Sequence, residues 1–147
     1  MKLKYNYAYK IAEELAISFI KRIDDQVSTL PAKAILIPIP LYKLRQNWRG
    51  FNQAEEMGKL VSKRLGWGYG HDLLIRTKKT VPQTELKGVK RTKNVLGAFS
   101  VSSKSKIYSS RYVIFDDVLT TGSTLREACK VLKRRGAKDV YGLTIAA

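Results

Sequence analysis

Cysteine and histidine are almost absent: Cys129 and His71 are the only ones among 147 residues. A lone thiol excludes an internal disulfide, and with no cysteine pair there is no zinc module to read. Cys129 falls on an apolar helical face, where it packs rather than reacts. His71 stands apart from every candidate site. No apolar run reaches the length of a membrane span, which excludes membrane insertion. Glu13 and Glu14 interrupt the apolar residues of the first segment, so it does not read as a secretion signal. Repeats, low-complexity blocks and linkers are also missing, so residues 1–147 are expected to form one domain in the cytoplasm.

Acidic residues are scarce too. Against 28 Lys and Arg there are 12 Asp and Glu, a net charge of +16. The surplus implies an anionic partner, with polyphosphates, nucleic acid and anionic lipid all qualifying. It is densest over residues 76–106, where Arg76, Lys78, Lys79, Lys87, Lys90, Arg91, Lys93, Lys104 and Lys106 face a single acid, Glu85. Lys43, Arg45 and Arg49 add to it upstream. Some of this charge is ordinary solvated surface. Two nucleotide-binding signatures are missing: no stretch supplies the Gly-x-x-x-x-Gly-Lys-[Ser/Thr] loop, and Gly66-Trp67-Gly68-Tyr69-Gly70 has the wrong spacing for a dinucleotide fingerprint.

The informative stretch is residues 111–126. Tyr112-Val113-Ile114-Phe115 is a β-branched and aromatic run, the pattern of a buried strand. Asp116 and Asp117 follow at its carboxyl end. Thr120-Thr121-Gly122-Ser123-Thr124 makes a hydroxyl-rich turn, and Leu125, Ala128, Cys129 and Leu132 then recur at helical spacing up to Gly136. In an open α/β sheet, ligands sit beyond the carboxyl ends of the strands. Backbone N–H groups at a helix start, aided by the helix dipole, suit a phosphate. Gly122 permits close approach, and the hydroxyls of Thr120, Thr121, Ser123 and Thr124 are short donors. Two adjacent carboxylates accept hydrogen bonds from a diol. A phosphate grip beside a diol grip describes a ribose 5-phosphate. Taken singly, an Asp-Asp pair only ends a strand and Thr124 only caps a helix.

Elsewhere, residues 5–27 read as a helix with Ile11, Leu15, Phe19 and Ile23 in line, flanked by Ala12, Ala16 and Ile20. Tyr5, Tyr7 and Tyr9 alternate near its start as a small strand or a cover. Residues 34–39 form a second buried strand that must stop near Pro38. Asn52 is placed to cap a helix over Ala54, Met57, Val61 and Leu65, with Gly66 as its stop. Strands are expected at 72–75, 98–101 and 140–146, a short basic helix at 87–94, and a mobile basic loop from Arg76 to Leu86. Strands and helices alternate, which predicts a doubly wound, mainly parallel α/β sheet with flanking helices.

Val113 to Thr124 resembles the phosphoribosyl-pyrophosphate (PRPP) motif of the type I phosphoribosyltransferases: apolar residues, two acids, two variable residues, then Thr-Thr-Gly-x-Thr. Arg49-Gly50-Phe51-Asn52-Gln53, Arg76, Thr80, Gln83, Leu86, Arg91, Asn94 and Gly97-Ala98-Phe99 resemble the competence-associated ComF branch in collinear order. The resemblance implies a phosphoribosyltransferase fold that binds PRPP with Mg²⁺. In it Asp116 and Asp117 hold the ribose hydroxyls and stand as candidate metal contacts, and Thr120 to Thr124 hold the 5-phosphate. Arg49, Arg76, Lys78, Lys79 and Arg91 are implied on the pyrophosphate side, with Asp116, Asp117 and Arg76 as the catalytic set. The loop after the first core strand, Ile39-Pro40-Leu41-Tyr42, is implied to meet pyrophosphate. Single-stranded DNA and other competence proteins are implied as further partners, and a homodimer is left open. Many ComF proteins carry a cysteine-rich zinc module before the core; this chain is expected to do without it.

Overall fold

A computed structural model of the chain describes residues 2–24, 29–42, 52–78, 95–108 and 110–146. At its centre β1 (Ile35–Pro38) pairs in parallel with β5 (Arg111–Val118), Ile35 opposite Tyr112 and Pro38 opposite Phe115. Both are apolar without interruption over the paired residues, the pattern of strands covered on two faces. β2 (Gly68–Tyr69) joins the far side of β1, and β6 (Asp139–Ala146) the far side of β5, to give the parallel order β2-β1-β5-β6.

Successive strand side chains point to opposite faces. Leu36, Val113 and Phe115 therefore enter one core layer, with α1 (Lys2–Asp24) and α2 (Gln53–Leu65). Ile37, Tyr112 and Ile114 enter the other, with α3 (Ser123–Arg134). Helices cover both faces, as the alternation predicts. Among the described residues no helix is long and apolar enough to cross a membrane.

Several expectations change. The segments expected as strands at 72–75 and 98–101 do not join the parallel sheet. β3 (Leu74–Arg76) and β4 (Phe99–Val101) pair antiparallel as a separate ribbon, Leu74 opposite Val101 and Arg76 opposite Phe99. Leu74, Ala98, Phe99 and Val101 face the α3 layer, so burial holds the ribbon across that layer instead of at a sheet edge. β2 was not foreseen, because two residues carry no periodicity. In α1 the buried stripe is Ala12, Ala16, Phe19 and Ile23, while Ile11 and Leu15 are exposed. The stripe turns toward the alanines because small residues let α1 approach α2 closely. The helix also runs through Tyr5, Tyr7 and Tyr9, which removes the small strand. The basic helix at 87–94 and the loop beyond Lys78 lie outside the described residues.

The ends of α2 are as expected. Asn52 Oδ1 accepts from Ala54 N at 3.1 Å, and Gly66 closes the helix at φ 66°. Within α2, Gly58 lies against the sheet: a Cβ there would come within 2.9 Å of Leu36 Cδ2 and 3.2 Å of a Phe115 ring carbon. Leu36 and Phe115 are fully buried and have nowhere to go. Gly58→Ala should therefore destabilise the fold by about 1–2 kcal/mol, overpacking outweighing the ~1 kcal/mol helix-propensity gain. Urea denaturation of the two proteins measures it.

Candidate functional site

The strand order reverses between β1 and β5: β1 is followed outward by β2, and β5 by β6 in the opposite direction. In doubly wound sheets ligands sit beside such a reversal, at the carboxyl ends of the two central strands. The chain leaving β1 is held at this point. Ile39 N donates to Phe115 O at 2.8 Å, and Asn52 Nδ2 donates to Ile39 O at 3.0 Å. The side chain that caps α2 thus also fixes the first residue of the Ile39–Tyr42 loop.

Asp116 and Asp117 stand beside that loop. They lie within β5, not beyond its end, because pairing with β6 continues to Val118 opposite Ala146. Asp116 N–O geometry is local: Asp117 N donates to Asp116 Oδ1 at 3.0 Å, and Val118 N to Asp117 Oδ1 at 2.9 Å. Alternation puts Asp116 on the Tyr112–Ile114 face, toward α3 and the ribbon. Burial, then the charge of Asp117 and a side-chain hydrogen bond with it, push the Asp116 carboxyl up to about 7; the Arg76 charge opposes this.

The turn follows directly. Leu119 N donates to Ala146 O at 2.7 Å, and Gly122 at φ 68° occupies the N-cap of α3 without any side-chain cap. Only glycine takes that backbone conformation cheaply. The helix begins at Ser123, so Thr124 lies inside it and is not its cap. Ser123 is buried, and its hydroxyl bonds Thr121 Oγ1 at 2.8 Å. Ser123 is thus committed inward, and Thr121 Oγ1 is engaged with it. Arg126, which sequence reasoning missed, donates from Nη2 to Thr121 O and its Nη1 would lie 3.3 Å from a Cβ at position 122. An exposed arginine one turn into a helix gives no sequence signal.

The ribbon brings Arg76 to the same side. Its guanidinium lies 5.3 Å over the Phe99 ring, a cation–π contact, while its charge reaches Asp116. Lys78 is exposed and donates from Nζ to Leu96 O at 3.4 Å. Arg49, Lys79 and Arg91 lie outside the described residues. Among the described residues no group of three or more His, Cys, Asp or Glu converges to cage a metal. Trp67 is buried and donates Nε1 to Pro31 O at 3.0 Å, a structural role. Cys129 packs partly buried against the α3 layer. At the opposite end of the strands, Lys33, Arg111, Lys138 and Asp139 border an open cleft of 460 Å³.

Residues 8–146 match the phosphoribosyl transferase domain. The chain belongs to that family. Within it, this phosphoribosyltransferase-like chain is of the ComF type. It is 34% identical over 150 residues to Competence protein F of Haemophilus influenzae, covering 99% of this chain and 66% of that protein. It is 30% identical over 141 residues to DNA utilization protein YhgH of Salmonella typhi, covering 95% of this chain and 61% of that protein. The chain therefore spans somewhat under two thirds of the length of these relatives. In fold it resembles a hypoxanthine phosphoribosyltransferase from Staphylococcus aureus, with a TM-score of 0.52 at 17% identity over 90% of this chain and 62% of that one. It also resembles the glutamine PRPP amidotransferase of B. subtilis, with a TM-score of 0.53 at 18% identity over 94% of this chain and 26% of that one.

The raised Asp116 carboxyl has a stability consequence of definite sign. Below its ordinary value of 3.8 it is protonated in both folded and unfolded chains and contributes nothing. Between 3.8 and about 7 the unfolded chain ionises while the folded one holds its proton, so stability falls as pH rises, and above about 7 the full penalty stands. Asp116→Asn removes the penalty. The variant should melt several degrees above wild type at pH 8 and close to it at pH 4, in thermal scans across that range.

Proposed function

We propose that this chain binds PRPP and transfers its ribose 5-phosphate to an acceptor, releasing pyrophosphate. The observation that carries the reading is the β5–turn–α3 unit at the strand-order reversal, where two carboxyl groups lead into a glycine-opened helix start. In this reading the N–H groups and threonine hydroxyls of residues 120–124 hold the 5-phosphate. Asp116 and Asp117 hold the two ribose hydroxyls, which are neutral donors to carboxyl oxygens.

In the transfer, the bond between the anomeric carbon and pyrophosphate breaks, its electron pair leaves with the pyrophosphate, and the acceptor's nucleophile bonds to that carbon. Positive charge builds on the ribose and negative charge on the leaving group. The protein's task is to stabilise that separation. Arg76 and Lys78, with Arg49, Lys79 and Arg91, are assigned to the pyrophosphate, arginine being suited to it by its bidentate fork. The donor set fits Mg²⁺: hard carboxyl oxygens from two acids, with no further acidic, His or Cys cage among the described residues, suit an ion that keeps its waters and rides on substrate phosphates. When bound, Mg²⁺ would neutralise charge on the pyrophosphate oxygens, with Asp116 and Asp117 as its nearest protein oxygens. A cytoplasmic location, consistent with the single cysteine, belongs to the same reading.

Calorimetry with PRPP and Mg²⁺ tests it. Wild type should bind, and Asp117→Ala should bind at least about tenfold more weakly, the scale for losing a charge-assisted hydrogen bond. Absence of binding by wild type overturns the proposal.

The cleft at the other end of the strands favours a second reading, binding of single-stranded DNA. Lys33, Arg111 and Lys138 line it, and relatives bear the names DNA utilization protein and Competence protein F. Affinity for an oligonucleotide should then fall steeply with salt. Lys33→Glu with Lys138→Glu should abolish it while sparing PRPP, and Asp116→Ala should leave it intact. Filter binding at two salt concentrations separates the two sites.

A further inference from the structure

One buried carboxylate takes no part in the site described above. Glu127 is 6% exposed on α3, one turn beyond Ser123 on the same helical face. Its Oε1 accepts from Gly97 N at 2.9 Å, across a separation of 30 residues. A charged side chain is rarely buried without a partner of consequence, and this partner is the turn that feeds β4. Gly97 sits at φ 64°, and Ala98 N donates back to Val95 O at 3.0 Å, so the turn is a fixed shape. Immediately after it Phe99 carries the Arg76 guanidinium on its ring, and Thr77 N donates to Ala98 O at 2.8 Å. Lys78 closes over the same turn through Leu96 O.

The ribbon and the four-stranded sheet are separate hydrogen-bonded units. Apolar packing holds the ribbon against α3, but packing alone allows sliding, since apolar contacts are non-directional. A hydrogen bond is directional and sets register. We infer that Glu127 is a positioning residue: its bond to Gly97 locks the ribbon to α3 and thereby sets the distance between Arg76 and the turn at the start of the same helix. This rests on the PRPP reading. Ser123 and Glu127, at i and i+4, would make α3 the ruler between the 5-phosphate grip and the pyrophosphate grip. A ligand that spans both grips then feels the lock, and a ligand that occupies one end does not.

The test uses the full chain with Mg²⁺ and three probes: PRPP, pyrophosphate and ribose 5-phosphate, each by calorimetry. Glu127→Leu keeps the volume and removes the acceptor. It should lose about tenfold or more for PRPP, the scale seen when a supporting group behind a ligand is removed, with ribose 5-phosphate within about twofold. Pyrophosphate should weaken less than PRPP. Glu127→Gln retains an acceptor oxygen and should restore wild-type affinities. If Glu127→Leu is insoluble, Glu127→Asp, which shortens the reach, should weaken PRPP in the same direction. Equal losses for PRPP and ribose 5-phosphate, or none for either, overturn the inference while leaving PRPP binding by wild type standing. If wild type binds no probe, the PRPP reading itself falls. Amide hydrogen exchange at Gly97 to Val101 reads the lock without any ligand: no acceleration in Glu127→Leu overturns it as well.

Discussion

Burial beside a second acid makes the Asp116 carboxyl resist ionising, and the strand that carries it lies at the centre of the sheet. β1 and β5 are the innermost strands, β5 is buried from Tyr112 to Phe115, and burial is the largest cause of the raised Asp116 carboxyl. A sheet that placed Asp116 at an edge would hydrate it and return it to an ordinary acid. The strand reversal lies at that same end, where Ile39 is held to Phe115 O and by Asn52. The feature that costs stability thus sits where the strand order reverses, at the end of the central β5. Sites that strain a fold in this way are where function is commonly kept.

α3 follows the same end of β5 with its amino end. Its first residue is buried, its N-cap is a glycine with positive φ, and no side chain caps it from that position. Capping by Ser, Thr, Asp or Asn would stabilise an isolated helix by roughly a few tenths of a kcal/mol over glycine. Leaving the cap to a glycine forgoes that gain and keeps backbone N–H groups near the surface of the turn. Arg126 compensates in part by holding the Thr121 carbonyl from one turn further on. The turn is shaped by backbone and by its own helix, so it does not depend on a ligand for its form.

Much of this was legible in the sequence because it rests on local rules. Residues 112–115 with Asp116 and Asp117, the Gly122 turn, the Asn52 cap and the Gly66 stop all follow from periodicity and from residues with one strong backbone preference. What was not legible depends on partners distant in the chain. Leu74 to Arg76 has the composition of any short strand; only its contact with 99–101 makes it antiparallel and separate. The buried face of α1 was misread because Ile11 and Leu15 are more apolar than Ala12 and Ala16, yet the alanines are what permits close approach to α2. Glu127 sits at a position that reads as the polar flank of an amphipathic helix. Nothing within ten residues of it announces Gly97, and residues 43–51 and 79–94, where much of the expected pyrophosphate machinery falls, lie outside the described structure.

Net charge divides between the two ends of the sheet in a way that matters for any ligand. A chain at +16 attracts anions from a distance, but only nearby charges act on a bound one. β5 has 8 residues, and at about 3.3 Å each its ends are roughly 25 Å apart. That is about three Debye lengths at physiological ionic strength, where the length is ~8 Å. Lys33, Arg111 and Lys138 at the amino end therefore do nothing for a phosphate held at the carboxyl end, and Arg76 and Lys78 do nothing for a ligand at the amino end. Under the proposed reading, the acid pair would meet only the hydroxyls of a sugar phosphate, and the phosphate would lie against backbone N–H groups of the turn. The basic cleft has no such acidic pair at its floor, only Asp139 with its carboxylate 4.0 Å from Arg111 Nε. The carboxyl end thus sets acidic oxygens beside helix-start N–H groups, whereas the amino end offers positive charge offset by Asp139.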